Sequence, residues 1–333
     1  MTATTAYVVF AVGLVAITLG SVWLARGLND IGARFRMLPG LLGLVAALGS
    51  DSPEIFSAIT ALTANAHSVG LGVVLGSNLF NLAALMGLSG LVAGRLPLRA
   101  PVVLFNGAVS LLVTAVALLL VVHGLPPAVG LGLLLVVLGV YVFLLWARGS
   151  RIRHLPLPGE IRRALVALVE DVHGHARAGG GNAPLWPGWL TAGVIAGSLV
   201  IIVAGSVGMV HSALALSRVW ALPEALMGVL ILAALTGLPN IYTSVRLALA
   251  GEGAAVVSET LNSNTINIVV GLGLPAVVFG VTETTVGLVE IWWLLGMTAA
   301  AVGLAAACRG LNRPVGALII ALYAAFVGVR LML

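Results

Sequence analysis

The chain has no lysine at all, one cysteine, and very little charge of either sign: 8% of its 333 residues are Asp, Glu, Lys or Arg. Each scarcity excludes something. A lone Cys308 cannot form an intramolecular disulfide, and its place in a late apolar segment suits simple packing. So little charge, beside so much apolar surface, suits a chain dissolved in lipid. What is abundant is apolar: 60% of residues are hydrophobic and the mean hydropathy is +1.16. No soluble core needs that much apolar surface, so the fold class expected is an all-α polytopic membrane protein.

Apolar runs long enough to span a bilayer fall at about 7–25, 36–64, 69–93, 101–122, 125–147, 189–209, 222–250, 253–280, 287–306 and 314–332, ten in all. The first lacks a basic leader and a cleavage site, and reads as a retained helix. With ten spans the sixteen arginines sort by side. One side receives Arg26, Arg34, Arg36, Arg95, Arg99, Arg148, Arg151, Arg153, Arg162, Arg163, Arg177, Arg246, Arg309 and Arg313, and the other Arg218 and Arg330 alone. By the positive-inside rule both termini are expected outside and the loop at 148–188 in the cytoplasm. The net charge of +5 thus orients the chain in a lipid bilayer and predicts no nucleic acid. Trp23, Trp146, Trp186, Trp189, Trp220, Trp292 and Trp293 fall near span ends and suit an aromatic belt.

An internal repeat is written in the numbering. Pro53 lies 186 residues before Pro239, and the same offset puts Ser77 on Ser263, Asn78 on Asn264 and Asn81 on Asn267 without a gap. Each half holds five spans, an odd number, so the copies are expected to be inverted, with 1–147 the first repeat and 189–333 the second. Inverted repeats are a recurring design of secondary transporters, whose site lies near the midplane.

The polar residues inside these spans are hard oxygen donors. Pro53 and Pro239, read as lying within helices, should free the carbonyls of Gly49 and Leu235. Helical spacing groups Ser50 with Glu54 and Ser57, Thr236 with Asn240 and Thr243, Ser77 with Asn81, and Glu259 with Ser263 and Asn267. Such ligands fit Ca²⁺, Na⁺ or a proton rather than a soft metal. Hydrogen bonding between helices would explain the Ser, Thr and Asn residues but not Glu54, since an ionised residue at the bilayer centre costs at least ~2.5–3.5 kcal/mol. Asp51 stands three residues before it, and Glu259 is a third buried carboxylate.

With "GSDSPEIFSAI" and "GSNLFN" in one half and "LTGLPNIYTSV" and "NSNTIN" in the other, the chain resembles the sodium/calcium exchanger (cation/Ca²⁺ antiporter) superfamily, prokaryotic type, through its two α-repeats at about 43–90 and 229–275. The resemblance implies ten helices in two inverted five-helix repeats, no enzymatic activity, no cofactor beyond the transported ions, and a prokaryotic plasma membrane. It puts the family's first glutamate on Glu54 and its hydroxyl ligands on Ser50, Ser77, Thr236 and Ser263. This chain departs from the pattern where the second glutamate should be, at Asn240, and at Asn267. If a divalent cation is bound, the lost charge must come from Asp51 or Glu259, with Glu54, Asp51 and Asn240 the metal-contacting residues. The expected function is exchange of Ca²⁺ or another cation against Na⁺ or H⁺. Na⁺/H⁺ exchange without Ca²⁺, and a transport-inactive scaffold or sensor, are the alternatives. A hydrolase using Asp51 and Glu54 lacks any further catalytic constellation.

In the loop at 148–188, Ile161, Leu165, Leu168, Val169 and Val172 fall on one helical face, so an amphipathic helix on the membrane surface is expected. His173 and His175 are two solvated histidines there rather than a metal site.

Overall fold

The computed structural model describes residues 1–35, 37, 39–146, 159, 162, 163, 166, 184–281 and 286–333, with backbone alone at 39–43 and 46. Ile161, Leu165, Leu168, Val169, Val172, His173 and His175, and with them the expected surface helix, lie outside the described residues.

The ten expected segments appear as helices whose ends follow the apolar runs. The first repeat has α1 (Ala3–Arg34), α2 (Pro39–Ser50), α3 (Ser52–Thr63), α4 (His67–Asn81), α5 (Leu88–Ala93), α6 (Ala100–Val121) and α7 (Pro127–Trp146). In the second repeat stand α8 (Gly188–Val219), α9 (Glu224–Leu226), α10 (Ala233–Thr236), α11 (Leu238–Leu249), α12 (Gly253–Ile266), α13 (Leu274–Phe279), α14 (Leu288–Ala307) and α15 (Arg313–Met332). Arginines or prolines stand at most of the ends, as helix starts and membrane exits require.

Two spans differ from the expectation of continuous helices. The run at 36–64 is divided at Asp51 between α2 and α3, and the run at 222–250 is bent by 46° at Gly237 between α10 and α11. Pro53 and Pro239 therefore do not sit inside a helix. Each stands in the first two positions of a new half-helix, where its missing N–H costs nothing and its fixed φ favours a start.

A second feature had no sequence signal. Past Asn81 and past Ile266 the backbone widens into π-turns, Leu82–Gly87 and Asn267–Gly273, which join α4 to α5 and α12 to α13. A π-turn rotates the residues downstream of it relative to an ideal helix, and such turns gather at functional sites. A third joins α9 to α10 at Met227–Leu232.

The motif helices form the centre. In the spans His67–Ala93 and Gly253–Phe279, 89% and 78% of the apolar window is buried, against 22% for α7, so the first two are wrapped by protein and α7 faces lipid. The long helices α1 and α8 run antiparallel, tied at one end by Tyr7 with Trp220 and at the other by Asp30 with Thr191. Between those ends Gly13 and Gly205 let the backbones meet: a Cβ added to Gly13 would lie 2.8 Å from the Gly205 carbonyl. Two short strands, β1 (Arg95–Pro97) and β2 (Gly310–Asn312), pair antiparallel and bring the α5–α6 and α14–α15 connections together. Cys308, expected to pack, is instead exposed at the C-terminal end of α14, because the helix stops there and turns into β2.

Candidate functional site

The breaks at Asp51 and Gly237 bring the two half-helix starts together, Asn240 of one bonded to Asp51 of the other, with α4 and α12 packed beside them. Asp51 and Glu54 are wholly buried, and so are Ser77, Asn81, Thr236 and Asn267, with Asn240 and Ser263 at 1% exposure. Asn240 sits between the two acids. Its amide Nδ2 donates to Asp51 Oδ1 at 2.9 Å and makes a longer contact of 3.5 Å to Glu54 Oε1. Ser263 donates its hydroxyl to the same Asp51 oxygen at 2.6 Å, and Asn81 Nδ2 donates to Ser263 Oγ at 2.9 Å.

The remaining hydroxyls turn their protons away. Ser50 donates to the Ala47 carbonyl, Ser77 to Val74 and Thr236 to Leu232, each within its own helix. A hydroxyl whose proton is spent on the backbone presents only lone pairs to its surroundings. Of the two carbonyl oxygens expected to be bare, that of Gly49 accepts from the Ser52 hydroxyl at 2.7 Å and keeps a second lone pair. The Gly237 N–H bonds to the Ala233 carbonyl at 3.3 Å, and Pro239 has no N–H to offer Leu235.

Several buried oxygens find no hydrogen-bond partner among the described residues: Asp51 Oδ2, Glu54 Oε2, Ser57 Oγ, and the side-chain oxygens of Asn78, Asn81, Asn240, Asn264 and Asn267. Buried polar groups are rarely left so, and a hard cation is the partner that acceptor oxygens alone can satisfy. The ion pairs among the described residues are Arg34–Asp30 and Arg330–Glu290, so neither neutralises Asp51 or Glu54.

One expected residue falls elsewhere. Thr243 is exposed, its hydroxyl bonded back to Pro239, and the buried hydroxyl on that helix is Ser244, which meets Ser89. The buried face of α11 runs Asn240, Ser244, Ala248 at steps of four, so Thr243, at i+3 from Asn240, falls beside it. Glu259 lies on α12, which packs against α2; its Oε2 is buried without a partner, while the residue keeps some exposure. Among the described residues no three His, Cys, Asp or Glu side chains gather closely enough for one ion, so Glu259 does not complete a three-acid cage with Asp51 and Glu54.

The structure adds groups that sequence reasoning missed. Asn78 Nδ2 donates to the Asn264 carbonyl at 3.2 Å, and Asn264 Nδ2 to the Asn78 carbonyl at 3.1 Å. Their equivalence in the repeat was a signal for this pair. Tyr141 Oη lies 2.7 Å from Asn106 Oδ1 and 2.6 Å from Asn262 Oδ1, tying α7, α6 and α12 together on the face behind Ser263. Nothing in the sequence pointed to it.

The profile of the family described as sodium/calcium exchanger protein matches residues 5–148 and 190–332. The inner membrane protein YrbG of Escherichia coli (strain K12) is 27% identical over 270 residues, 80% of this chain and 78% of that protein. Among solved structures, the H⁺/Ca²⁺ exchanger CAX aligns with a TM-score of 0.73 at 12% identity, covering 97% of this chain and 81% of that one. The sodium-calcium exchanger NCX_Mj aligns with a TM-score of 0.59 at 20% identity over 98% of this chain and 99% of that one. These two likenesses concern the fold, with its ten membrane-spanning segments; the profile, matching each half in turn, carries the family. The chain is an integral membrane protein of the sodium/calcium exchanger family, a family of cation transporters.

Proposed function

We propose that this protein is a secondary antiporter that exchanges Ca²⁺ against Na⁺ or H⁺ by alternating access around the site at Asp51, Glu54 and Asn240. The observation that carries the reading is the pair of buried carboxylates, each with one oxygen lacking a partner, set among neutral oxygen ligands with no basic side chain bonded to them among the described residues. Two ionised acids so placed are tolerated in a bilayer only with protons or bound cations as countercharge. A carrier that must always be loaded with one or the other is an exchanger.

Asp51 supplies the charge that Asn240 lacks. Its carboxylate is hydrogen-bonded directly to Asn240, one side chain away from Glu54, whereas Glu259 makes none of the described hydrogen bonds to these three. Ser50, Ser77, Asn81, Thr236 and Asn267 add neutral oxygens of the kind that Ca²⁺ accepts, and Ser263 bonds to Asp51. Both termini are outside, the segment from 148 to 188 is a cytoplasmic loop, and 1–147 and 189–333 are the two inverted units. This orientation is supported by the arginine asymmetry and by the hairpin, which pairs Arg95 with Asn312 next to Arg309 and Arg313. YrbG, an inner membrane protein, supports the plasma membrane as the location.

The test is ⁴⁵Ca²⁺ uptake into proteoliposomes under an outward Na⁺ gradient and, separately, an outward H⁺ gradient. Uptake in one arm names the coupling ion, and Glu54→Gln is expected to reduce it to the level of protein-free vesicles. Full flux in Glu54→Gln sinks the reading. Absence of Ca²⁺ uptake in both arms, with Na⁺/H⁺ exchange retained, replaces Ca²⁺ by Na⁺ as cargo.

A further inference from the structure

Next to the site the two repeats make a reciprocal pair: the Asn78 and Asn264 amides reach each other's carbonyls at 3.2 and 3.1 Å across 186 residues. The hydrogen bonds one turn away are not symmetric. Asn81 donates to Ser263, but its counterpart Asn267 does not donate to Ser77; both polar atoms of the Asn267 side chain are buried without a partner. Ser263 Oγ carries two hydrogen bonds, one received from Asn81 and one given to Asp51. Ser77 Oγ gives its proton to Val74 within its own helix, and no described bond reaches its lone pairs.

One difference between the repeats accounts for this. Asp51 corresponds to Gly237, which has no side chain. The Asp51 carboxylate draws the Ser263 hydroxyl to itself, and Asn81 closes on the oxygen so fixed. In the other half no side chain stands at the Asp51 position, so Ser77 keeps its bond to Val74 and Asn267 is left without a partner.

We infer that the cation is held off the axis that relates the two repeats, by Ser77 and Asn267 together with Glu54, while Ser263, bonded to both Asp51 and Asn81, serves Asp51 and takes no direct part in coordination. This deepens the exchanger reading and rests on it. The chemistry is that of a single hard cation. A hydroxyl already giving and receiving a hydrogen bond offers a cation less than one with its lone pairs open. In this arrangement Asp51 contributes charge at one remove and acts as a positioning residue for Ser263.

Binding of ⁴⁵Ca²⁺, and separately of ²²Na⁺, to the purified full chain in detergent tests this with two pairs of variants, each pair equivalent by the repeat. Ser77→Ala is expected to weaken binding by about tenfold, the loss of one direct ligand, and Ser263→Ala by less than about threefold. Asn267→Asp is expected to tighten Ca²⁺ binding by about tenfold, whereas Asn81→Asp, which removes a donor from Ser263 and puts a like charge beside Asp51, is not. The second pair guards against variants that fail to fold, since a gain cannot come from misfolding. Equal losses in the serine pair, or equal gains in the asparagine pair, overturn the one-sided site and leave the exchanger intact. Wild-type protein that is monodisperse and binds neither ion overturns both.

Discussion

Asn240 shows how one residue changes what a site asks for. Its amide donates to Asp51 at 2.9 Å and approaches Glu54 at 3.5 Å, so it holds two acids together as a glutamate could not. In Asn240→Glu that donor is replaced by a third carboxylate among buried oxygens. Without a divalent ion the like charges repel and the variant is expected to melt below wild type; with Ca²⁺ the added charge tightens binding, and ligand that binds only the folded state raises Tm. The Ca²⁺-dependent rise in Tm, measured by thermal unfolding in chelator and in saturating Ca²⁺, should therefore exceed that of wild type. An equal or smaller rise places the cation away from residue 240. Glu54, Asp51, Ser263 and Asn267 were all legible in the sequence, because a carboxylate or a repeated S-N-x-x-N has no cheap explanation in lipid. The hydrogen bond from Ser263 to Asp51 was not, since it joins residues 212 apart across two helices. The buried pair of Glu290 and Arg330, 2.7 Å apart, escaped for the same reason: each alone reads as a residue near a helix end.

At the scale of elements, the span count and the helix ends came from apolar runs bounded by Arg and Pro, and the inversion from an odd number of spans per repeat. The half-helices and π-turns did not. A proline marks a disturbance, but whether the helix bends or restarts depends on what packs beside it. A π-turn has no residue signature, yet it decides which face the residues beyond Asn81 and Ile266 present. The contact that sets α4 against α12 is the reciprocal bond of Asn78 and Asn264, both 1% exposed or less. Removing either amide leaves a carbonyl on the other helix without its donor, at a cost of about 1–3 kcal/mol. Asn78→Ala and Asn264→Ala are expected to destabilise by similar amounts, and the double variant by less than their sum, because the two bonds form one unit. Thermal unfolding of the three variants checks this. A fully additive double variant would mean that each amide acts alone.

For the whole molecule, the arginine asymmetry, the hairpin and the family all bear on orientation, and the chain carries its own probe for it. Cys308 is its lone cysteine and is exposed at the end of α14, adjoining Arg309 and the strand that pairs with Arg95–Pro97. An end rich in arginine belongs to the cytoplasmic side. A membrane-impermeant maleimide is therefore expected to leave Cys308 unlabelled in intact cells and to label it in inverted membrane vesicles. The opposite pattern would place the hairpin outside and the termini in the cytoplasm. Because the two repeats are inverted copies around one site, that result would exchange the sides of the membrane on which the first and second repeats begin.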